Sequence, residues 1–147
     1  MDDASRFALL SAMAFFAAGL LGGVWKYACI RRSPDASAPM YVDIFHRASL
    51  LYAFACLLLE RMAIVSQLEV ATELWALRAV VGFFAFAVGG YAIHGWLNDT
   101  DNQLRRPYKL GKGSLPPIVV HASMWALVAC EIGGFGVLAV GVLRAVG

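Results

Sequence analysis

Four long apolar stretches limit what this chain can fold into more than any other feature. They run from about Phe7 to Cys29, Tyr41 to Val65, Leu74 to Leu97 and Ile118 to Val146. Each exceeds the roughly 20 residues that carry a helix across a bilayer. Hydrocarbon offers no partner to an exposed peptide group, so each stretch must satisfy its own backbone as a helix. The expected fold is all-α: an integral membrane four-helix bundle, one domain over residues 1–147. Composition agrees, with 61% hydrophobic residues, only 15% charged and a mean hydropathy of +0.69. A soluble domain carries roughly 25% charged residues.

The remaining bulk properties mostly exclude. A net charge of +2, with no basic cluster interleaved with stacking aromatics, gives no reason to expect a nucleic-acid partner. Cys29, Cys56 and Cys130 are odd in number and form no C-x-x-C, so they read as free packing thiols. The start, MDDASRF, is acidic and runs straight into an apolar span, which predicts a retained helix rather than a cleaved secretory signal. Asp2 stands where myristoylation needs glycine, and no CaaX box closes the chain.

Three polar links separate the spans: RRSPDASAP, SQLEVATE and the long NDTDNQLRRPYKLGKGSLPP. Four spans place both termini on one side and the first and third links on the other. The latter side holds Lys26, Arg31, Arg32, Arg47, Arg105, Arg106, Lys109 and Lys112, against Arg6, Arg61, Arg78 and Arg144 opposite. Positive charge favours the cytoplasm, so loops 1 and 3 are expected inside and the termini outside, with a bacterial inner membrane as the expected location. Loop 3 is rich in donors and acceptors and long for a link between neighbouring helices. It reads as a solvated connection or as a cap over a pocket.

Ionisable groups within apolar spans need a reason to be there. Glu60, about 28 Å along the second helix from Tyr41, matches Arg78 in depth, so a Glu60–Arg78 pair is expected, or else a Glu60–Arg61 pair among headgroups. Glu131 lies near mid-membrane. It is either a neutral acid bonded to a neighbouring helix or a proton or ion site. His46, His94 and His121 all fall toward the loop 1 and loop 3 side, with Asp43 one turn before His46 and Asp99 and Asp101 beyond His94. Histidines at one level with nearby carboxylates suit metal or heme ligation, and also suit simple interfacial anchoring. A zinc-like sphere would need all three to converge; a heme needs one or two. Tyr52, Phe54, Phe83, Phe84, Phe86 and Trp125 would supply heme walls, and Arg47, Arg105 and Arg106 would meet its propionates. Small residues at Ser11, Ala18 and Gly22, and at Ala122, Ala126, Ala129, Gly133 and Gly136, predict close helix packing within the bundle or between subunits.

The plan resembles the small four-helix membrane isomerases: the styrene oxide isomerases and, more distantly, the hydroxylaminobenzene mutases. A glycine-bearing first helix leads through SPDASAP to a second helix with an early histidine, FHRASLLYAFA. A third helix ends in YAIHGWLND, and a long loop with YKLG precedes a small-residue-rich last helix. The resemblance implies that His46 ligates heme b, whose ferric iron acts as a Lewis acid on an epoxide oxygen and yields a carbonyl without net redox change. It implies a small apolar substrate and a homo-oligomer, a trimer above all. Tyr91 matches the family's tyrosine near the end of the third helix, with His94 one turn on. Tyr52 stands where the family has asparagine, a departure at the reaction site. The expected catalytic or orienting residues are Tyr52, Tyr91 and His94. The expected cofactor contacts are His46, Arg47, Arg105 and Arg106, with His46 and His121 as metal ligands. An electron-transfer subunit with two axial histidines, a small transporter using Glu131 and a purely structural membrane protein are the alternatives.

Overall fold

A computed structural model describes all residues, Met1–Gly147. It contains α1 (Asp3–Arg32), α2 (Met40–Val65), α3 (Val70–Leu97) and α4 (Pro117–Val146), with a small hairpin of β1 (Lys109–Leu110) and β2 (Gly113–Ser114) in the third loop. All four helices are long and apolar enough to cross a membrane, and the chain is an integral membrane protein of the all-α, four-helix class. Two helices begin earlier than hydropathy alone suggests. The Asp2 carboxylate accepts the Ser5 N–H at 2.7 Å and starts α1 at Asp3 rather than Phe7. Half of the second link is also helical, because Val-Ala-Thr-Glu forms the first turn of α3.

The helices α2 and α3 each pack against all the others, and α1 and α2 form the tightest pair. The reason is a run of small residues on α1. Ala4, Ala8, Ala12, Gly19 and Gly22 are buried, at spacings that keep one face of a helix turned inward. A Cβ on Gly22 would come within 2.8 Å of the Phe45 ring, so the backbones approach as closely as only glycine allows. Of the stripe expected on α1, Gly22 lies on this seam, whereas Ser11 and Ala18 are only half-buried. The core continues through Phe15, Cys56, Leu59, Leu77, Val80, Phe84 and Leu138. All three cysteines are free.

The stripe expected on α4 faces outward: Ala122, Ala129 and Gly133 are exposed, and a Cβ on Gly133 or Gly136 would meet nothing. The face of α4 that packs inward holds Val120, Gly134, Leu138 and Gly141 instead. Gly134 is required by proximity, since a Cβ there would lie 2.6 Å from the Val80 side chain and 2.7 Å from the Ala76 carbonyl oxygen.

The expected Glu60 pairs do not form. Arg78 is exposed and lies over the Trp75 ring at 5.0 Å, while Glu60 and Arg61 belong to no ion pair. Depth matches Glu60 to Arg78, but helix phase does not: Glu73, Ala76, Leu77 and Val80 define the inward face of α3, and Arg78 points away from it. Glu73 is the buried acid at this end, 2% exposed with Oε1 unpartnered. It sits in the first turn of α3, where the positive end of the helix dipole favours a carboxylate.

Paired substitutions separate the two faces of α4. Gly134→Ala is expected to destabilise the detergent-solubilised protein by about 1–3 kcal/mol, the usual cost of overpacking. Gly133→Ala should leave the monomer unchanged. Thermal unfolding followed by helical circular dichroism checks the pair, and equal midpoints would contradict this packing.

Candidate active site

The third helix ends at Leu97 because Asn98 adopts the left-handed conformation, φ 47°, and its N–H bonds back to the His94 carbonyl at 2.8 Å. Asparagine tolerates this cap better than most residues. The turn folds Asp99 back onto the helix it has just left. Asp99 Oδ1 then accepts from His94 Nδ1 at 2.8 Å, and both side chains are almost wholly withdrawn from solvent. An ionised carboxylate only accepts, so Nδ1 carries the hydrogen and Nε2 is the free ring nitrogen. No protein group bonds to Nε2.

The same carboxylate anchors the loop. Its Oδ2 accepts the Gly111 N–H at 2.5 Å, at the turn of the β1–β2 hairpin, where Gly111 takes φ +58°. Lys109 pairs with Ser114 and Leu110 with Gly113, a tight hairpin of the kind a left-handed glycine favours. A second tie runs from the Gln103 N–H to the Tyr41 hydroxyl of α2. Burial alone would push the Asp99 carboxyl up. The bonds from His94 and Gly111 outweigh it and hold the carboxyl below its ordinary value.

Beneath the hairpin lies a cavity of about 420 Å³. Its walls come from α3 and α4, with Tyr52 reaching in from α2 and Gln103, Leu104, Lys109 and Leu110 from the loop. Most of the lining is apolar; the polar groups are Tyr52, Tyr91, His94, Gln103, Lys109 and Ser123. Of the two readings of loop 3, a solvated link or a cap, its residues in the cavity wall match the cap. The three residues expected to orient substrate, Tyr52, Tyr91 and His94, share this one cavity. Tyr52 is stacked on Phe84 with ring centroids 4.0 Å apart, and Tyr41 stacks on Tyr91 and tilts against His94.

The expected cofactor residues lie elsewhere. His46 faces α1, with Nδ1 2.7 Å from the Gly19 carbonyl, where Gly22 and Gly23 leave room for it. His121 is exposed on α4, its Nε2 3.3 Å from the Tyr108 hydroxyl. The three histidines share a membrane end but not a site, and no group of three His, Cys, Asp or Glu side chains is gathered to hold a metal ion. The three rings form no zinc-like sphere, because each is turned to a different partner. Arg47 pairs with Asp43 at 2.7 Å beside Lys26, Arg105 pairs with Asp101 at 3.0 Å, and Arg106 donates to the Tyr108 hydroxyl at 3.3 Å. None of these arginines lines the cavity. Of the aromatics expected as cofactor walls, Tyr52 and Phe86 line it, while Phe54 and Trp125 point outward.

The Asp99 bridge to Gly111 is the part least evident from sequence. Asp99 stood out only as an acid near His94; its pairing depends on the left-handed cap, and its reach to Gly111 depends on the hairpin. Comparison of the chain with protein families, curated proteins and solved structures finds no match.

A lowered aspartate stabilises the fold fully above the ordinary aspartate value, and that contribution is lost as pH falls through the lowered value. The Gly111 amide resonance of the detergent-solubilised protein should therefore titrate with a midpoint below about 3.9. Asp99→Ala should speed hydrogen exchange at Gly111 by roughly tenfold at neutral pH, the cost of about one charge-assisted hydrogen bond. A midpoint above the ordinary value, or unchanged exchange, would contradict the bridge.

Proposed function

We propose that this protein is a membrane isomerase that converts a small apolar oxygen-bearing molecule, such as an epoxide, into its carbonyl isomer. One observation carries the reading: a hydrogen-bonded His94–Asp99 pair lines a mostly apolar cavity together with two tyrosine side chains. Asp99 fixes the tautomer and orientation of His94, the arrangement by which a carboxylate prepares an imidazole for proton transfer. The apolar walls suit a substrate that partitions into lipid, and the hairpin keeps bulk water from a cationic intermediate.

The chemistry balances without an external reagent. A proton from the Tyr52 or Tyr91 hydroxyl meets the epoxide oxygen as a carbon–oxygen bond breaks, and the free Nε2 of His94 stands ready as the base. A hydride then migrates to the adjacent cationic carbon. The hydroxyl proton returns to the protein as the carbonyl forms, so substrate and product are isomers. Tyr52 and Tyr91 hold the oxygen, and Asp99 is a positioning residue for His94.

Heme b enters this reading through His46. Its Nδ1 is taken up by the Gly19 carbonyl, which leaves Nε2 as the ligand nitrogen, the arrangement of a histidine oriented for a metal. When bound, ferric heme supplies a Lewis acid for a substrate oxygen. Arg47, Arg105 and Arg106 are the cations that would meet its propionates. His46 lies outside the cavity, so the proton-handling roles of Tyr52, Tyr91 and His94 do not rest on it. The outward small residues of α4 support a homo-oligomer, with a trimer as the assembly this reading favours. Loops 1 and 3 are assigned to the cytoplasmic side of a bacterial inner membrane on charge.

His94→Gln should lower turnover of an aryl epoxide by about 10²-fold or more, and Tyr52→Phe or Tyr91→Phe by about tenfold, the scale of a lost acid–base or orienting group. Product formation by the purified protein checks this. Unaltered turnover in His94→Gln would sink the cavity assignment. Separately, the protein expressed with ample heme should show a Soret band that His46→Ala removes. A band retained in that variant would show that His46 is not the ligand.

A further inference from the structure

A second cavity, of about 280 Å³, opens between α2, α3 and α4 and holds an acid that the proposed isomerisation does not use. Its lining is Ala55, Leu58 and Leu59 of α2, Val80 and Phe84 of α3, and Ile132 and Phe135 of α4, with Glu131 as the one polar member. Glu131 stands midway along α4, deep in the span. Its Oε1 is fully buried and bonds to nothing, and none of the chain's ion pairs includes it. The expected bond to a neighbouring helix is therefore absent. A buried acceptor without a donor is costly, and such acids within membranes mark ligand or ion pathways.

The chemistry of the lining selects the occupant. Hard metal cations need several oxygen ligands, and this cavity offers one carboxyl and apolar walls. A neutral apolar molecule would leave Oε1 unpaired. An ammonium carrying an apolar body satisfies both: the charge meets the carboxylate, the body fills the groove, and Phe84 and Phe135 are aromatic members of the lining. We propose that Glu131 and this groove form a binding site for a lipophilic monovalent ammonium ion, separate from the cavity under loop 3. The lining from α2 and α3 contributes no charged or titratable group, so Glu131 alone supplies the countercharge. Behind Phe84 stands Tyr52, whose ring stacks on it, so this aromatic pair forms part of the wall between the two cavities. One ammonium against one carboxylate leaves no net charge in the membrane.

The test uses the full-length protein in detergent, with benzyltrimethylammonium as probe and its uncharged isostere neopentylbenzene as competitor. Isothermal titration calorimetry should show saturable binding of about one cation per chain. Glu131→Gln should weaken binding at least about tenfold, equivalent to roughly 1.4 kcal/mol. The neutral isostere should compete far less well than the cation. Absence of saturable binding, affinity of Glu131→Gln within about twofold of wild type, or equal competition by neopentylbenzene would each overturn the site. If Glu131→Gln fails to fold by size-exclusion chromatography, Phe135→Ala, altered at a half-exposed position on the groove wall, decides the matter: unchanged affinity there rejects the proposal.

Discussion

The bond from Asp99 to His94 does more to organise the functional end of this protein than any other polar contact. One carboxylate, nearly buried at the end of α3, receives an imidazole with one oxygen and the tip of the loop 3 hairpin with the other. Without it, the hairpin loses its anchor over the cavity, and His94 loses the partner that sets its tautomer. The bond is strong because it is charge-assisted and sheltered, and shelter is what makes an unmet partner costly. The orientation of His94 and the anchoring of loop 3 therefore depend on the same two oxygens.

Away from that end, the molecule is held by close approach rather than by charge. In lipid the tails are as apolar as the side chains, so helices associate through packing and small residues. The α1–α2 seam illustrates this, with Gly19 against Leu50 and Gly22 against Phe45. His46 is set into the same seam, which is why its ring has a fixed hydrogen-bond partner although it lies in no large cavity. The two cavities fall instead among α2, α3 and α4, and Tyr52, stacked on Phe84, stands between them.

The four spans were legible because length and hydropathy report them directly, whereas the length of loop 3 left open whether it was a solvated link or a cap. His94 stood out as an ionisable group within an apolar span, and Tyr52 and Tyr91 through the family resemblance; the fold lines one cavity with all three. The Glu60–Arg78 pair failed for a specific reason: depth can be counted along a helix, but facing depends on which side meets the neighbours. For the same reason, sequence left open whether the α4 stripe packs inside the bundle or between subunits, and whether the histidines converge; the fold turns the stripe outward and keeps the histidines apart.

Sequence alone determined that this is a four-helix integral membrane protein, because hydrocarbon leaves an apolar chain of this length no other way to satisfy its peptide groups. Tertiary structure alone decided helix phase, the left-handed turn at Asn98 that returns Asp99 to His94, and the division of the polar residues between two cavities and an outer seam. Those choices escape the sequence because α3 and α4 are apolar on nearly every face. Where lipid and core are equally apolar, periodicity no longer marks which side is in.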